Sequence, residues 1–93
     1  MGLDIGIIEV TYLKRPRGRA YEFAWELALE ASAFGYMHGE GNNWGPFTRA
    51  QIRAMFRKFA KDKHLSKEEE TEVWSWVEAL PWDDENIELH FNW

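Results

Sequence analysis

The chain of 93 residues contains no cysteine, and this absence excludes three kinds of structure or site. Without thiols there is no disulfide framework, no zinc site built from thiolates and no cysteine nucleophile. Long apolar runs are also missing, because charge or glycine interrupts every hydrophobic stretch within a few residues, and we expect no membrane span. The opening MGLDIGIIEV contains an aspartate and only a short apolar run, which is not typical of a signal peptide. We therefore expect a soluble, cytoplasmic protein.

Large aromatic side chains are abundant by comparison. A chain of this length forms one domain, and a small domain needs bulky side chains to build a sufficient core. The sequence has six tryptophans, six phenylalanines and three tyrosines, each able to bury roughly 150–250 Å². We expect a single domain over residues 1–93 with an aromatic core.

The charge is negative overall but divided into segments. A formal net charge of −5 makes non-specific binding of nucleic acid by the whole surface improbable. Basic residues cluster in residues 14–19 and 49–63, whereas after Lys67 the chain has nine acidic residues and no further lysine or arginine. This asymmetry predicts charged faces and not a neutral mosaic.

Hydrophobic periodicity predicts a small α+β fold. Alternating residues predict strands over 5–13 and 87–93, and a short middle strand is expected over 34–38. Strong helix formers predict a first helix from residue 19 to about residue 33. Two capping boxes predict further helices that begin after Thr48 and Ser66. The expected architecture is a two- or three-stranded antiparallel-type sheet with three helices packed on one face, in the order β-α-β-α-α-β, or β-α-α-α-β without the middle strand.

Each predicted helix has an apolar stripe at spacings of three and four residues, which indicates the face it buries. The predicted buried residues are Tyr21, Ala24, Trp25 and Ala28, continued by Ala31 or Ser32, on the first helix, Ile52, Met55, Phe56 and Phe59 on the second, and Val73, Trp76, Val77 and Leu80 on the third. Three tryptophans, Trp25, Trp76 and Trp93, thereby fall on predicted core faces.

The run HGEGNNWGPFT, residues 38–48, is rich in glycine and asparagine. Its G-x-G-x-x-x-G spacing does not match a dinucleotide-binding fingerprint, and proline follows Gly45 where a phosphate-binding loop requires lysine. We interpret the run as a loop whose glycines and asparagines supply turns before the Thr48 cap. This interpretation does not explain Trp44, a costly residue to leave on a loop.

Three tryptophans lie off the predicted core faces: Trp44, Trp74 and Trp82. Tryptophan is enriched at binding hot spots, and two of these side chains exposed together, beside Asp83 and Asp84, would form a partner-binding site. The alternative is a second small core beneath the glycine-rich loop.

The second predicted helix has a basic stripe with a constant spacing of four residues: Arg49, Arg53, Arg57 and Lys61. Such a stripe suits a phosphate backbone, with the basic residues of 14–19 adding to the patch. The alternative is a solvated helix face whose charges pair with Glu22, Glu26, Glu30 or the acidic third helix, and the excess of acidic residues favours it.

A catalytic set is hard to assemble from this sequence. His38, Glu40 and His90 would be neighbours if their strands pair, which makes them a weak candidate for a metal or acid–base cluster. The serines lie in or at the start of helices and not in a nucleophile elbow. We therefore expect that the protein is not an enzyme and binds no cofactor.

The start MGLDIGI resembles the M-G-L-D-hydrophobic starts of many short hypothetical proteins of phages and prophages. The resemblance implies an origin and no specific activity. Together with the acidic C-terminal third and the off-pattern tryptophans, it leads to the hypothesis of an interaction protein, such as a phage-type inhibitor of a host factor. Nucleic-acid binding through the basic helix 49–63 is the alternative hypothesis.

Overall fold

A computed structural model describes residue 3, residues 11–32 and residues 42–92. Within these ranges the elements are helix α1 (Gly18–Ser32), strand β1 (Asn42–Thr48), helix α2 (Arg49–Asp62), helix α3 (Lys67–Glu78) and strand β2 (Asn86–Asn92). These three helices and the two-stranded antiparallel sheet form a small α+β fold, as predicted. No helix in the described part of the chain is long and apolar enough to cross a membrane.

The sheet consists of β1 and β2 in antiparallel pairing, with Pro46 opposite Glu88 and Thr48 opposite Asn86. The strand predicted near the C-terminus is confirmed. The strand predicted over 5–13 is wrong for residues 11–13, which are irregular and exposed, because Tyr12 contacts β2 through its side chain and not through a backbone ladder. The rest of that prediction and the middle strand over 34–38 lie outside the described residues.

Part of the glycine-rich run is a strand, so the prediction of a loop is wrong for residues 42–48. These residues form a strand because they pair with β2, and their local sequence does not indicate that distant partner. Gly45 is buried, and Gly18 is the only glycine of the described residues with positive φ. The missing side chain at Gly45 allows a close approach to α1, since a Cβ there would lie 2.8 Å from the Cβ of Ala31 and 2.6 Å from the ring of Phe47.

Both predicted capping boxes are present. The Thr48 hydroxyl accepts the backbone N–H of Gln51 at 3.1 Å, and the Gln51 side chain accepts the N–H of Thr48 at 2.8 Å. Ser66 and Glu69 repeat the pattern at the start of α3. The backbone N–H of Ser66 and the guanidinium of Arg19 lower the pKa of Glu69 below its ordinary value. Local side-chain chemistry therefore sets where both helices begin.

Helices α2 and α3 form an insertion between the two paired strands. The insertion begins at Arg49, directly after β1, and ends at Glu85, directly before β2. The backbone N–H of Arg49 donates to the carbonyl of Glu85 at 2.8 Å, which brings the two ends together. A tight turn precedes β2: Asp83 and Asn86 exchange two backbone hydrogen bonds, and Asp84 has a φ of 60°.

The core lies between α1, β1 and the α2–α3 insertion. Its fully buried large side chains are Phe23, Leu27, Phe47, Ile52, Val73 and Val77. The predicted faces of α2 and α3 agree with the structure, since Phe59 and Leu80 are also buried and Trp76 is half-buried.

The predicted buried face of α1 is confirmed for Ala28 and wrong for Tyr21 and Trp25. Phe23, Leu27 and Ala31 are buried, whereas Tyr21 is half-buried and Trp25 is 37% exposed. Helix α1 has two adjacent apolar stripes, and its close packing on β1 and α3 selects the stripe that contains Phe23. The predicted core position of Trp93 lies outside the described residues.

Because β1 lies so close to α1 at Gly45, one added methyl group at this position should destabilise the fold. Gly45→Ala should lower the free energy of unfolding by about 1–3 kcal/mol, because β1 must move away from α1 to relieve the overlap. Urea denaturation measures this change. Glu88→Ala, at an exposed position of the paired strand, is the control and should change stability by less than about 0.5 kcal/mol. Equal stability of Gly45→Ala and the unmodified chain would contradict the packing argument.

Candidate functional site

A groove of about 550 Å³ lies between residues 11–16, α1, the end of α3 and strand β2. Its apolar lining comes from separate elements, which place aromatic rings around one cavity. We call it the aromatic groove and define it by Tyr12, Tyr21, Trp25, Trp76, Leu80 and Phe91.

The choice of buried stripe on α1 creates the aromatic groove. Because Phe23 and Leu27 point into the core, the neighbouring stripe with Tyr21 and Trp25 is left at the surface. The rings of Tyr21 and Trp25 stack with centroids 6.5 Å apart and an interplanar angle of 24°. Ala24 lies on the same stripe and presents only a methyl group to the groove, which leaves room between the larger rings.

The segment 11–16 forms one bank of the groove and is attached to the opposite bank by Tyr12. The Tyr12 hydroxyl is hydrogen-bonded to Nδ1 of His90 at 3.2 Å and accepts a bond from Nδ2 of Asn92 at 3.4 Å. The rings of Tyr12 and His90 lie 5.9 Å apart. These contacts with β2 fix the position of the segment across the end of the groove.

The two banks of the groove differ in charge. Lys14 and Arg15 line one bank and are exposed, while Glu88 lines the other. Neither Lys14 nor Arg15 has an ion-pair partner among the residues that the structure describes. Arg19, close in sequence, is different: it pairs with Glu22 and Glu69, each at 2.9 Å, and these carboxylates raise the pKa of its guanidinium.

Two of the three tryptophans predicted to bind a partner are half-buried in the structure. Trp74 is half-buried and packs on Phe56, with ring centroids 5.1 Å apart. Trp82 is half-buried and donates from its indole nitrogen to the carbonyl of Val77 at 2.8 Å. Trp44 lies in β1 opposite His90, but its side chain is outside the described part of the structure.

Two arginines of α2 cover these tryptophan rings. Cζ of Arg49 lies 4.4 Å from the centroid of Trp82, and Cζ of Arg53 lies 5.7 Å from that of Trp74. Trp74 therefore contributes to the packing of α2 against α3, and Trp82 contacts the first residue of α2, while the partner-binding role expected for both stays a prediction. Asp83 and Asp84 are exposed in the turn before β2.

The basic stripe divides into two parts. The Arg49 side chain is only 19% exposed and pairs with Glu78 at 2.9 Å and with Glu85 at 3.3 Å. For this residue the structure agrees with pairing to the acidic third helix. The remaining members, Arg53, Arg57 and Lys61, are exposed and have no ion-pair partner in the described ranges.

Of the predicted cluster of His38, Glu40 and His90, the structure describes only His90. His90 is half-buried and contributes to the aromatic groove beside Tyr12. His38 and Glu40 lie outside the described residues, and their proposed cluster with His90 stays a prediction.

Sequence reasoning missed the aromatic groove as a site. It assigned Tyr12 to a strand, and Tyr21 and Trp25 to the core. The signal that was available is the pair of adjacent apolar stripes on α1, because one helix packed on a small core buries only one of them. No protein-family model, no curated protein and no solved structure matches the chain.

The environment of Arg49 predicts a stability effect that separates it from the rest of the basic stripe. Arg49→Ala should lower the free energy of unfolding by about 1–2 kcal/mol, because it removes two ion pairs and the stack on Trp82. Arg49→Lys keeps the charge without the planar group and should fall in between. Urea denaturation measures these changes, with the exposed Arg57→Ala as the control at about 0.5 kcal/mol or less. Similar losses for Arg49→Ala and Arg57→Ala would show that these contacts do not stabilise the fold.

Proposed function

We propose that the chain is a non-enzymatic interaction domain that binds a segment of another protein in the aromatic groove. The observation that carries this proposal is the open groove of about 550 Å³ with aromatic rings from α1, α3, β2 and residues 11–16. Tyrosine and tryptophan give a large contact area and lose little conformational entropy on binding, which is why they dominate hot spots.

Two apolar side chains of the groove are largely exposed to solvent. Tyr12 is 61% exposed and Leu13 is 50% exposed, and both also line the groove. Apolar surface of this kind gains free energy when a partner removes it from water, at roughly 25 cal/mol per Å². Exposed apolar side chains that line a concave site are the expected form of a docking surface.

We place the anchor site in the groove and not at Trp74 and Trp82, because those two rings are half-buried and contact arginines of α2. The phage-like start MGLDIGI supports a phage-type inhibitor that binds a host factor. The excess of acidic residues, 16 against 11 basic ones, supports a specific protein partner over a general attraction to nucleic acid.

Filling the groove tests the proposal. Ala24→Arg places a long side chain on the groove floor, while Ala54→Arg makes the same change at an exposed position of α2. Both variants and the unmodified chain are used to select from a displayed library of random short peptides, and affinities follow by fluorescence polarisation. Peptides selected on the unmodified chain should bind Ala54→Arg equally and Ala24→Arg at least about tenfold more weakly. Equal binding to Ala24→Arg, with its fold verified by circular dichroism, would refute the proposal.

A second candidate function is nucleic-acid binding along α2. The observation that favours it is the exposed row of Arg53, Arg57 and Lys61 without ion-pair partners in the described part of the chain. Successive members are four residues apart, which corresponds to about 6 Å along the helix. A row of this kind follows a phosphate backbone and binds in a salt-dependent manner.

A gel shift tests this candidate with random-sequence single-stranded and duplex DNA at low salt. A shift that weakens with added salt and disappears in the double variant Arg53→Glu and Arg57→Glu would support it. The double variant Arg53→Lys and Arg57→Lys keeps a positive charge at both positions and should keep the shift. If the unmodified chain shifts neither DNA at low salt, α2 is not a nucleic-acid interface.

A further inference from the structure

We infer that the aromatic groove takes an acidic segment of a partner protein, with an apolar side chain on the groove floor and carboxylates against Lys14 and Arg15. This inference rests on the proposed function and adds the chemistry of the occupant. It uses three features of the groove: a basic bank, a rigid attachment of that bank and an acidic residue opposite.

The basic bank is the first feature. In a chain with an excess of acidic residues, Lys14 and Arg15 have no ion-pair partner among the described residues, although Arg19 has two. Both side chains are exposed and line the groove. A carboxylate that enters from a partner therefore meets two cations without displacing an ion pair seen in the structure.

The attachment of the bank is the second feature. Residues 14 and 15 lie between the Tyr12 contact with β2 and the start of α1. Pro16 restricts the backbone directly after them. The two attached ends and the proline restrict the backbone of residues 14 and 15 near the groove, so less backbone entropy is lost when a partner binds.

The opposite bank gives the third feature. Glu88 is exposed on β2 and repels a carboxylate on its side of the groove. An acidic segment is therefore favoured with its carboxylates on one side only, which selects one orientation. Between the banks, Ala24 and Trp76 leave an apolar floor that suits a leucine or aromatic side chain and disfavours a second charge.

The experiment is a charge exchange with the same displayed library of random short peptides. Selection on the unmodified chain should enrich peptides in which aspartate or glutamate flanks a large apolar residue. The double variant Lys14→Glu and Arg15→Glu should bind these peptides at least about tenfold more weakly and should itself enrich peptides with lysine or arginine. Lys61→Glu with Arg57→Glu makes the same two substitutions on α2, and this control should bind like the unmodified chain.

The outcomes separate the inference from the proposed function. Peptides that depend on Ala24 but show no charge preference would overturn the inference and leave the groove as a binding site. If no selected peptide is sensitive to Ala24→Arg, the proposed function fails. Light scattering adds a third result: a dimer of the unmodified chain that Ala24→Arg converts to a monomer would assign the groove to a second copy and overturn the inference.

Discussion

The contacts of Arg49 bring the end of β1 next to the start of β2, and the pairing of the sheet depends on this closure. Strands β1 and β2 pair in register although residues 49–85 separate them, and closing such a loop has an entropic cost. Arg49 closes it through three contacts: its backbone N–H donates to Glu85, its guanidinium pairs with the carboxylates of Glu78 and Glu85, and the same group lies over the ring of Trp82. The first residue of α2 thus contacts the end of α3 and the turn before β2. The α2–α3 insertion can then act as one unit between the paired strands.

The core and the aromatic groove are formed by two neighbouring stripes of α1. Gly45 lets β1 approach Ala31, and this approach turns Phe23 and Leu27 inward. The helix cannot bury its second stripe on the same core, so Tyr21 and Trp25 are left at the groove. A change that alters how α1 rotates against β1 would therefore affect the stability of the core and the shape of the groove together.

Features determined by local chemistry were predictable from the sequence, and features determined by distant contacts were not. The starts of α2 and α3 follow from Thr48 and Ser66, whose side chains bond within their own helical turns. The strand character of residues 42–48 depends on a partner strand on the far side of two helices, and local glycine content points away from it. The buried stripe of α1 also depends on tertiary packing, and the groove follows from that choice. The sequence places Arg49 in a regular basic stripe. Its separate role depends on the positions of Glu78 and Trp82, which the tertiary fold determines.

Pro46 has a consequence for association between molecules. It has no N–H, and the N–H of Thr48 is bonded to the Gln51 side chain. Residues two apart in a strand direct their backbone groups to the same edge, so β1 lacks two consecutive donors on the edge that faces away from β2. A strand from another molecule cannot form a continuous ladder there, and edge-to-edge aggregation through this part of β1 is suppressed. The proline that makes the run unlike a phosphate-binding loop thus also limits strand addition at residues 46–48 of β1.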